Sequence, residues 1–254
     1  HCAPSHGPDD FNLCLKHGIK SLDTIDDDGK YTKHIKKFEG IHIFKADQIV
    51  IENLKECKKL LANGKLTHSY PHSWRSKAPL VHRATSQWFI SMEKKDLRKK
   101  ALKAIDDTNF YPERGRDRIR SMIETRPDWC ISRQRIWGVP LPLFVSKKTK
   151  EPLKDPKVIE NIAKIFEKEG ADCWFTDDPQ KFLGKNYKKD DYIKSNDIVE
   201  VWFDSGATHS YVLEKRKDLQ WPASMYLEGS DQHRGWFHSS LLESCGTRGK
   251  APFK

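Results

Sequence analysis

The segment that most constrains the fold runs from Met225 to Leu242. Residues 224–227 form a short apolar run that predicts a strand, and polar residues follow at once from Glu228 to His233. A helix is predicted next, over residues 235–245. In an open parallel sheet, ligands bind at the carboxyl ends of strands. The pattern therefore indicates an α/β fold with a ligand-binding edge at this turn.

The side chains of this turn suit a ligand that is rich in hydroxyl and amino groups. Glu228 supplies a carboxylate, Gln232 an amide and His233 an imidazole, and flanking glycines let the backbone approach closely. The alternative is a solvated turn in which Asp231 caps the following helix. The residues alone leave both interpretations open.

Apolar spacing predicts several further elements along the chain. Strands are predicted at residues 40–44 and 198–203, and helices at residues 46–62, 97–105, 117–125 and 158–168. Residues 68–79 hold two prolines and small polar side chains, which is typical of a connector. Residues 146–196 are rich in lysine and are interpreted as a surface insertion.

The charge of the chain is basic, with 46 Lys and Arg residues against 36 Asp and Glu residues. An excess of +10 favours a polyanionic partner such as RNA or a nucleotide, although scattered lysines are also typical of a solvated surface. Residues 126–138 concentrate arginines and tryptophans, a combination that suits phosphate or RNA contacts or a buried ion-pair network.

The six cysteines are dispersed, and none forms a pair or a Cys/His cluster with zinc spacing. We therefore predict reduced thiols, no metal site, and a cytoplasmic or mitochondrial-matrix location. No apolar run approaches the roughly 18–20 residues that span a bilayer, so no membrane association is predicted.

Residues 226–237, Tyr-Leu-Glu-Gly-Ser-Asp-Gln-His-Arg-Gly-Trp-Phe, resemble a stretch of the isoleucyl-tRNA synthetases of bacterial or organellar type, which are class I enzymes. Residues 201–206, Val-Trp-Phe-Asp-Ser-Gly, are similar to a second element of that family. Residues 126–138 resemble a third, which related valine enzymes share in part. The resemblance implies an aminoacyl-adenylate site whose residues are Glu228, Gly229, Asp231, Gln232, Trp202 and Trp236, with the two tryptophans as walls of the isoleucine pocket.

The amino end resembles the editing motif of the same family, which implies that Asp10 holds the amino group of mischarged tRNA and that His1 lies beside it. A missing methylene changes the free energy of amino-acid binding by only about 1–3 kcal/mol, and isoleucine enzymes are the usual illustration of this limit. Because that difference is too small for the fidelity required, a second, hydrolytic site is needed. Without the resemblance, His1 would be a loop residue and Asp10 a helix cap.

Ser73 and Ser76 stand where some relatives carry zinc-binding cysteines. A serine hydroxyl is a poor zinc ligand compared with a thiolate, so no zinc is predicted there. The two ATP signature motifs of the family, His-x-Gly-His and Lys-Met-Ser-Lys-Ser, do not occur in the chain. The resemblance assigns ATP with Mg²⁺ to the full-length enzyme, and the chain alone is expected to be inactive.

The implied fold is α/β. It comprises part of a parallel-sheet, Rossmann-like nucleotide-binding catalytic domain and the carboxyl-terminal part of a β-rich editing domain. The predicted division is 1–77 (editing domain and connector), 78–145 (catalytic), 146–196 (insertion) and 197–254 (catalytic). The implied partners are isoleucine, ATP and tRNA(Ile), and the enzyme is expected to be a monomer. The alternatives are a valine- or leucine-type synthetase, a non-catalytic tRNA-binding module and a free-standing editing hydrolase.

Overall fold

A computed structural model describes all residues from 1 to 254 and divides them into two compact units, His1–Ser86 and Gln87–Lys254. The predicted boundary after residue 77 lies earlier in the chain than this division. The assignment of the predicted domains stays a prediction, and each unit is described by itself below.

The first unit contains two α-helices, α1 (Pro8–Lys16) and α2 (Asp47–Glu56), and pairs its extended segments only through isolated bridges. The helix predicted over 46–62 ends at Glu56, and Lys58 then adopts a left-handed backbone with φ 54°. The strand predicted at 40–44 is wrong. Residues Ile43–Lys45 form a 3-10 turn because the Phe44 N–H donates to His42 Nδ1, which caps the turn.

The core of the second unit lies between three helices, α3 (Leu97–Asp106), α4 (Arg114–Glu124) and a later helix, Trp236–Arg248. The first two occupy the stretches where apolar spacing predicts them, and they pack against each other. Their inward faces carry residues at helical spacing, which is why they bury one stripe each. These buried residues are Leu97, Ala101, Ala104, Ile105, Ile119 and Ile123.

The strands of the second unit are short, and all of them pair antiparallel in twos. The pairs are β1 (Phe89–Ile90) with β2 (Trp129–Cys130), β3 (Ser132–Arg133) with β6 (Ile198–Val199), and β4 (Phe144–Ser146) with β5 (Tyr192–Lys194). One parallel pairing occurs, the bridge between Ala223 and Phe253. Residues 224–227 form no ladder, so the strand predicted there is wrong.

The lysine-rich segment encloses a second apolar cluster of its own. It contains α5 (Pro156–Glu169), α6 (Cys173–Thr176) and α7 (Pro179–Leu183). The fully buried ring of Trp174 packs against the ring of Phe182, with centroids 4.9 Å apart. The helix predicted over 158–168 is confirmed. The Lys157 N–H donates to the Asp155 carboxylate, which caps its first turn.

Helix α8 (Val201–Gly206) packs against α9, the helix Trp236–Arg248. The predicted strand 198–203 is therefore correct only at Ile198–Val199. The Phe203 N–H donates to the Glu200 carbonyl, so the chain turns into a helix directly after the strand. None of the helices is long and apolar enough to cross a membrane.

Candidate functional site

The polar turn before α9 folds back on the start of that helix. Ser230–His233 form a 3-10 turn, and the amide oxygen of Gln232 accepts a hydrogen bond from the Trp236 N–H at 3.4 Å. A Cβ atom at Gly235 would overlap this amide oxygen, so a larger residue there would displace the Gln232 side chain. Gln232 also donates to the Asp231 carboxylate at 3.0 Å. Neighbouring side chains therefore fix the conformation of the turn.

An aromatic stack adjoins the turn. The Trp236 ring lies on the Tyr226 ring, with centroids 4.5 Å apart and planes at 30°. Tyr226 also contacts Phe253 at 5.0 Å, and its hydroxyl lies 3.3 Å from Ser240 Oγ. Burial is the main cause that raises the pKa of the Tyr226 hydroxyl. The two rings flank the polar turn in the chain and together form a flat apolar surface.

Trp202, the second predicted wall, lies on α8 and is 44% exposed. The end of its helix rests on α9 at Gly206. A Cβ atom there would overlap Glu243 Oε1 and would lie 2.8 Å from Ser239 Oγ. The contact of α8 with α9 thus joins the element that carries Trp202 to the element that begins with Trp236.

Three carboxyl groups meet at this helix contact. Burial, followed by the neighbouring Asp204 and Glu200, raises the pKa of Glu243 to about 9. Burial and Glu200 also raise the pKa of Asp204. A charged carboxylate is poorly stabilised where water is excluded and like charges are near, so Glu243 is neutral at pH 7.

Cationic groups lie near the same contact. The Arg126 guanidinium lies over the Trp129 ring at 5.5 Å, and burial lowers its pKa while nearby Glu200 opposes this effect. Burial, followed by the Arg126 charge, lowers the pKa of His238 to about 3. His238 is therefore a neutral core residue, and Arg126 is the charged group that acts on its pKa.

A cavity of about 850 Å³ opens between α4, the polar turn and the carboxyl end of the chain. Glu228 is the predicted site residue that lines it, whereas Gly229, Asp231, Gln232, Trp202 and Trp236 lie outside the lining. The lining includes two arginines, Arg114 and Arg118, which belong to the basic stretch 114–135 and which the sequence did not assign to this site. Their spacing of four residues on a helix is a signal that could have shown them on one face.

The predicted editing residues lie in the first unit. The Asp10 carboxylate accepts a hydrogen bond from the Ala3 N–H at 2.7 Å, and His1 is exposed. Asp10 lies in the first turn of α1, so its carboxylate joins that helix to the loop before it. The N-cap residue of α1 is Gly7, and no side chain caps its first turn, so the helix-cap alternative for Asp10 is wrong. The editing role of both residues stays a prediction.

Ser73 and Ser76 belong to one small turn, in which the Ser76 N–H donates to Ser73 Oγ at 3.3 Å. The structure contains no group of three His, Cys, Asp or Glu side chains that could hold a metal ion. The absence of zinc at these serines stays a prediction.

The arginine-rich segment places an apolar and basic loop on the surface. Ile136 is fully exposed, Trp137 is 91% exposed, and Arg135 is exposed beside them. The Arg133 guanidinium instead donates to the Cys130 and Ser132 carbonyls at 3.0 and 2.8 Å. Arg133 therefore stabilises the local backbone, whereas Arg135, Ile136 and Trp137 form an exposed tip that is both basic and apolar.

Comparison with known proteins identifies the family. Residues 18–254 match the family model of tRNA synthetases class I (I, L, M and V), so the chain belongs to this family. It is 77% identical to the isoleucine–tRNA ligase of Pelagibacter ubique, 52% identical to that of Gluconobacter oxydans and 51% identical to that of Caulobacter vibrioides. Each match covers 100% of this chain and 28% of the relative, so the chain spans less than a third of these ligases.

Proposed function

We propose that this chain forms part of the amino-acid-binding region of an isoleucine–tRNA ligase. The stack of Trp236 on Tyr226, two residues that flank the turn with the carboxylates of Glu228 and Asp231, carries the proposal. An aromatic surface suits a branched aliphatic side chain, and a carboxylate suits the ammonium group of the same amino acid. Trp202 would supply a second wall from α8.

In the proposed reaction, the isoleucine carboxylate attacks the α-phosphate of ATP, which forms isoleucyl-adenylate and releases pyrophosphate. A terminal hydroxyl of tRNA(Ile) then attacks the acyl carbon, and AMP leaves. Glu228, Gly229, Asp231 and Gln232 would hold the amino acid and its adenylate in place. Mg²⁺ would enter with ATP as part of the substrate, and it would neutralise phosphate charge.

We extend the proposal to the rest of the chain. The second unit would contribute to a Rossmann-like catalytic domain. The parallel bridge between Ala223 and Phe253 would belong to the sheet of that domain. The first unit would be the carboxyl-terminal part of an editing domain, with Asp10 and His1 acting on valyl-tRNA(Ile). The full-length protein would act as a monomer.

One experiment tests the central proposal. In the full-length protein, ATP–pyrophosphate exchange is measured with isoleucine, valine or leucine as the amino acid. Exchange that prefers isoleucine supports the proposal, whereas a preference for valine or leucine favours the corresponding synthetase. Trp236→Ala is expected to raise KM for isoleucine by roughly 10–100-fold, because a packed apolar wall contributes about 1–3 kcal/mol.

The matched control for Trp236→Ala is Trp74→Ala, because Trp74 is 76% exposed and has no proposed role in binding. Equal effects of the two variants on KM would contradict the assignment of the pocket. The chain of 254 residues is expected to show no exchange by itself, because it lacks both ATP signature motifs.

A second candidate, a non-catalytic tRNA-binding module, is favoured by the exposed tip of Arg135, Ile136 and Trp137. Arginine and aromatic side chains together bind single-stranded nucleic acid through charge and stacking. Binding of tRNA that depends steeply on salt, without any isoleucine-dependent exchange by the full-length protein, would favour this candidate.

A further inference from the structure

The contact between α8 and α9 depends on a glycine on one helix and a carboxyl group on the other. At Gly206, a Cβ atom would overlap Glu243 Oε1 and would lie 2.8 Å from Ser239 Oγ. Ser239 and Glu243 are four residues apart on α9 and therefore share a face. The end of α8 thus rests directly on these two side chains.

Glu243 sits there without a charged partner that could keep it ionised. Its Oε1 atom is buried and has no hydrogen-bond partner, and the same holds for Oε2 of the nearby Glu200. Asp204 and Glu200, on the side of α8, raise the pKa of Glu243, whereas Arg248 of its own helix lowers it. Glu243 in turn raises the pKa of Tyr226. Arg248 itself pairs with Glu214 at 2.8 Å.

The neutral and ionised forms of this carboxyl group therefore differ in their effect on the contact. The neutral form fills the space beneath Gly206 without repelling Asp204 or Glu200. The ionised form brings a buried negative charge next to two other carboxyl groups, which is unfavourable where water is excluded. Because α8 is only six residues long, a displacement at Gly206 moves the whole helix, including Trp202.

We propose that Glu243 is a positioning residue of the amino-acid pocket: its carboxyl group, seated beneath Gly206, fixes the helix that carries Trp202 against the helix that begins with Trp236. This inference rests on the proposed function for the role of the two tryptophans. The positioning of Trp202 itself does not depend on that function, so the two can be tested separately.

The first test follows Trp202 directly. The full-length protein is labelled with fluorotryptophan, and the fluorine NMR signal of Trp202 is assigned by its loss in Trp202→Phe. Between about pH 7 and about pH 10 the Trp202 signal is expected to shift as Glu243 ionises. In Glu243→Gln, which keeps the shape and cannot ionise, the signal is expected to stay constant. Glu167→Gln, an exposed change on α5, is the matched control and is expected to behave like the wild type.

The second test measures isoleucine-dependent ATP–pyrophosphate exchange over the same pH range. In the wild type, KM for isoleucine is expected to rise by roughly tenfold at alkaline pH relative to that of Glu243→Gln, because a misplaced wall weakens substrate positioning. KM for ATP is expected to change equally in both proteins. Gly206→Ala adds a methyl group on α8 that would overlap Glu243 and push α8 away from α9. This variant is expected to move the Trp202 signal and to raise KM for isoleucine already at neutral pH.

The outcomes are distinct. A Trp202 signal that does not shift with pH, or that shifts identically in Glu243→Gln, would overturn the inference. A shift that is lost in Glu243→Gln without any isoleucine-dependent exchange would support the positioning of Trp202 and would overturn the proposed function instead. A purely structural role for Glu243 would lower stability in Glu243→Gln while leaving its pH profile of KM equal to that of the wild type, which would also contradict the inference.

Discussion

His238 shows at the scale of a single residue how the core decides the charge of a side chain. It is 3% exposed, and its Nε2 atom is buried without a hydrogen-bond partner. Burial and the Arg126 charge lower its pKa to about 3, so the folded protein keeps the imidazole neutral. Histidine in the unfolded chain has a pKa near 6.5, and the difference makes stability depend on pH.

The sign of this dependence follows from proton uptake. Between about pH 6.5 and about pH 3 the unfolded chain binds a proton that the folded protein does not, so the free energy of unfolding falls as pH falls. The expected slope from this residue is at most roughly 1.4 kcal/mol per pH unit. Urea unfolding of the wild type and of His238→Gln from about pH 7 to about pH 4 should show a smaller slope in the variant. Parallel profiles would contradict the prediction.

Single residues also show what the sequence could predict of the site. Glu228, Asp231, Gln232 and Trp236 lie within a few positions of one another, so a local pattern reveals them together. The contact of Gly206 with Glu243 joins residues that are far apart in the chain, and nothing near Gly206 in the sequence indicates a buried carboxyl group against it.

At the scale of the element, the stretch from Ile198 to Gly206 divides into a strand and a helix. Apolar and β-branched residues predict a continuous strand, because propensity alone does not show where pairing ends. Pairing with β3 ends at Val199, and α8 begins at Val201. The contact with α9 decides the conformation of the second half, which is tertiary information that the local pattern lacks.

Two glycines, one in the loop after β3 and one within α9, provide a matched pair of substitutions. Gly138 has φ 153°, and a Cβ atom there would overlap Ile198 Cδ1. Gly138→Ala is expected to lower the free energy of unfolding by about 1–3 kcal/mol because of strained backbone. Gly246 lies within α9, where a Cβ atom would meet Leu97 Cδ1 at an ordinary 3.6 Å. Gly246→Ala is expected to raise the free energy of unfolding by about 0.5–1 kcal/mol. Chemical denaturation measures both changes, and equal signs would contradict the argument.

The exposed tip of Arg135, Ile136 and Trp137 predicts a contact with tRNA. Trp137→Ala is expected to weaken tRNA binding by the full-length protein roughly 5–100-fold, because stacking on one base contributes about 1–3 kcal/mol. Arg135→Ala should also reduce the slope of log affinity against log salt by about 1. Lys164→Ala on the exposed side of α5 is the control. Fluorescence titration at several salt concentrations measures these changes, and losses as large in Lys164→Ala would refute a specific role for the tip.

At the scale of the whole molecule, the second unit contains two separate apolar clusters, one around α3, α4 and α9 and one within the lysine-rich segment. The sequence predicted α3, α4 and α9 of the first cluster and α5 of the second, because their periodicity is local, but it did not predict the short helices α6 and α7. It did not predict the aromatic core around Trp174, since the composition of residues 146–196 suggested a solvated surface. It also could not predict the antiparallel pairs, which are only two or three residues long.

The separation of the two clusters is testable. Trp174→Ala removes the largest fully buried ring of the second cluster and is expected to cost about 3–5 kcal/mol of local stability. Hydrogen exchange should become faster in α5, α6 and α7, while α3 and α9 stay protected. Leu241→Ala, in the first cluster, should produce the opposite distribution. Loss of protection throughout both clusters in either variant would show that they unfold as one.

The pairing of β4 with β5 has a consequence for how such chains diverge. Phe144 lies opposite Lys194, so the polypeptide leaves the body of the second unit and returns to it at neighbouring points. A segment whose ends are adjacent can be lengthened, shortened or exchanged without moving the rest of the chain. We therefore expect the segment between β4 and β5 to differ in size and surface among homologues, and it offers a place to graft a reporter or an affinity handle.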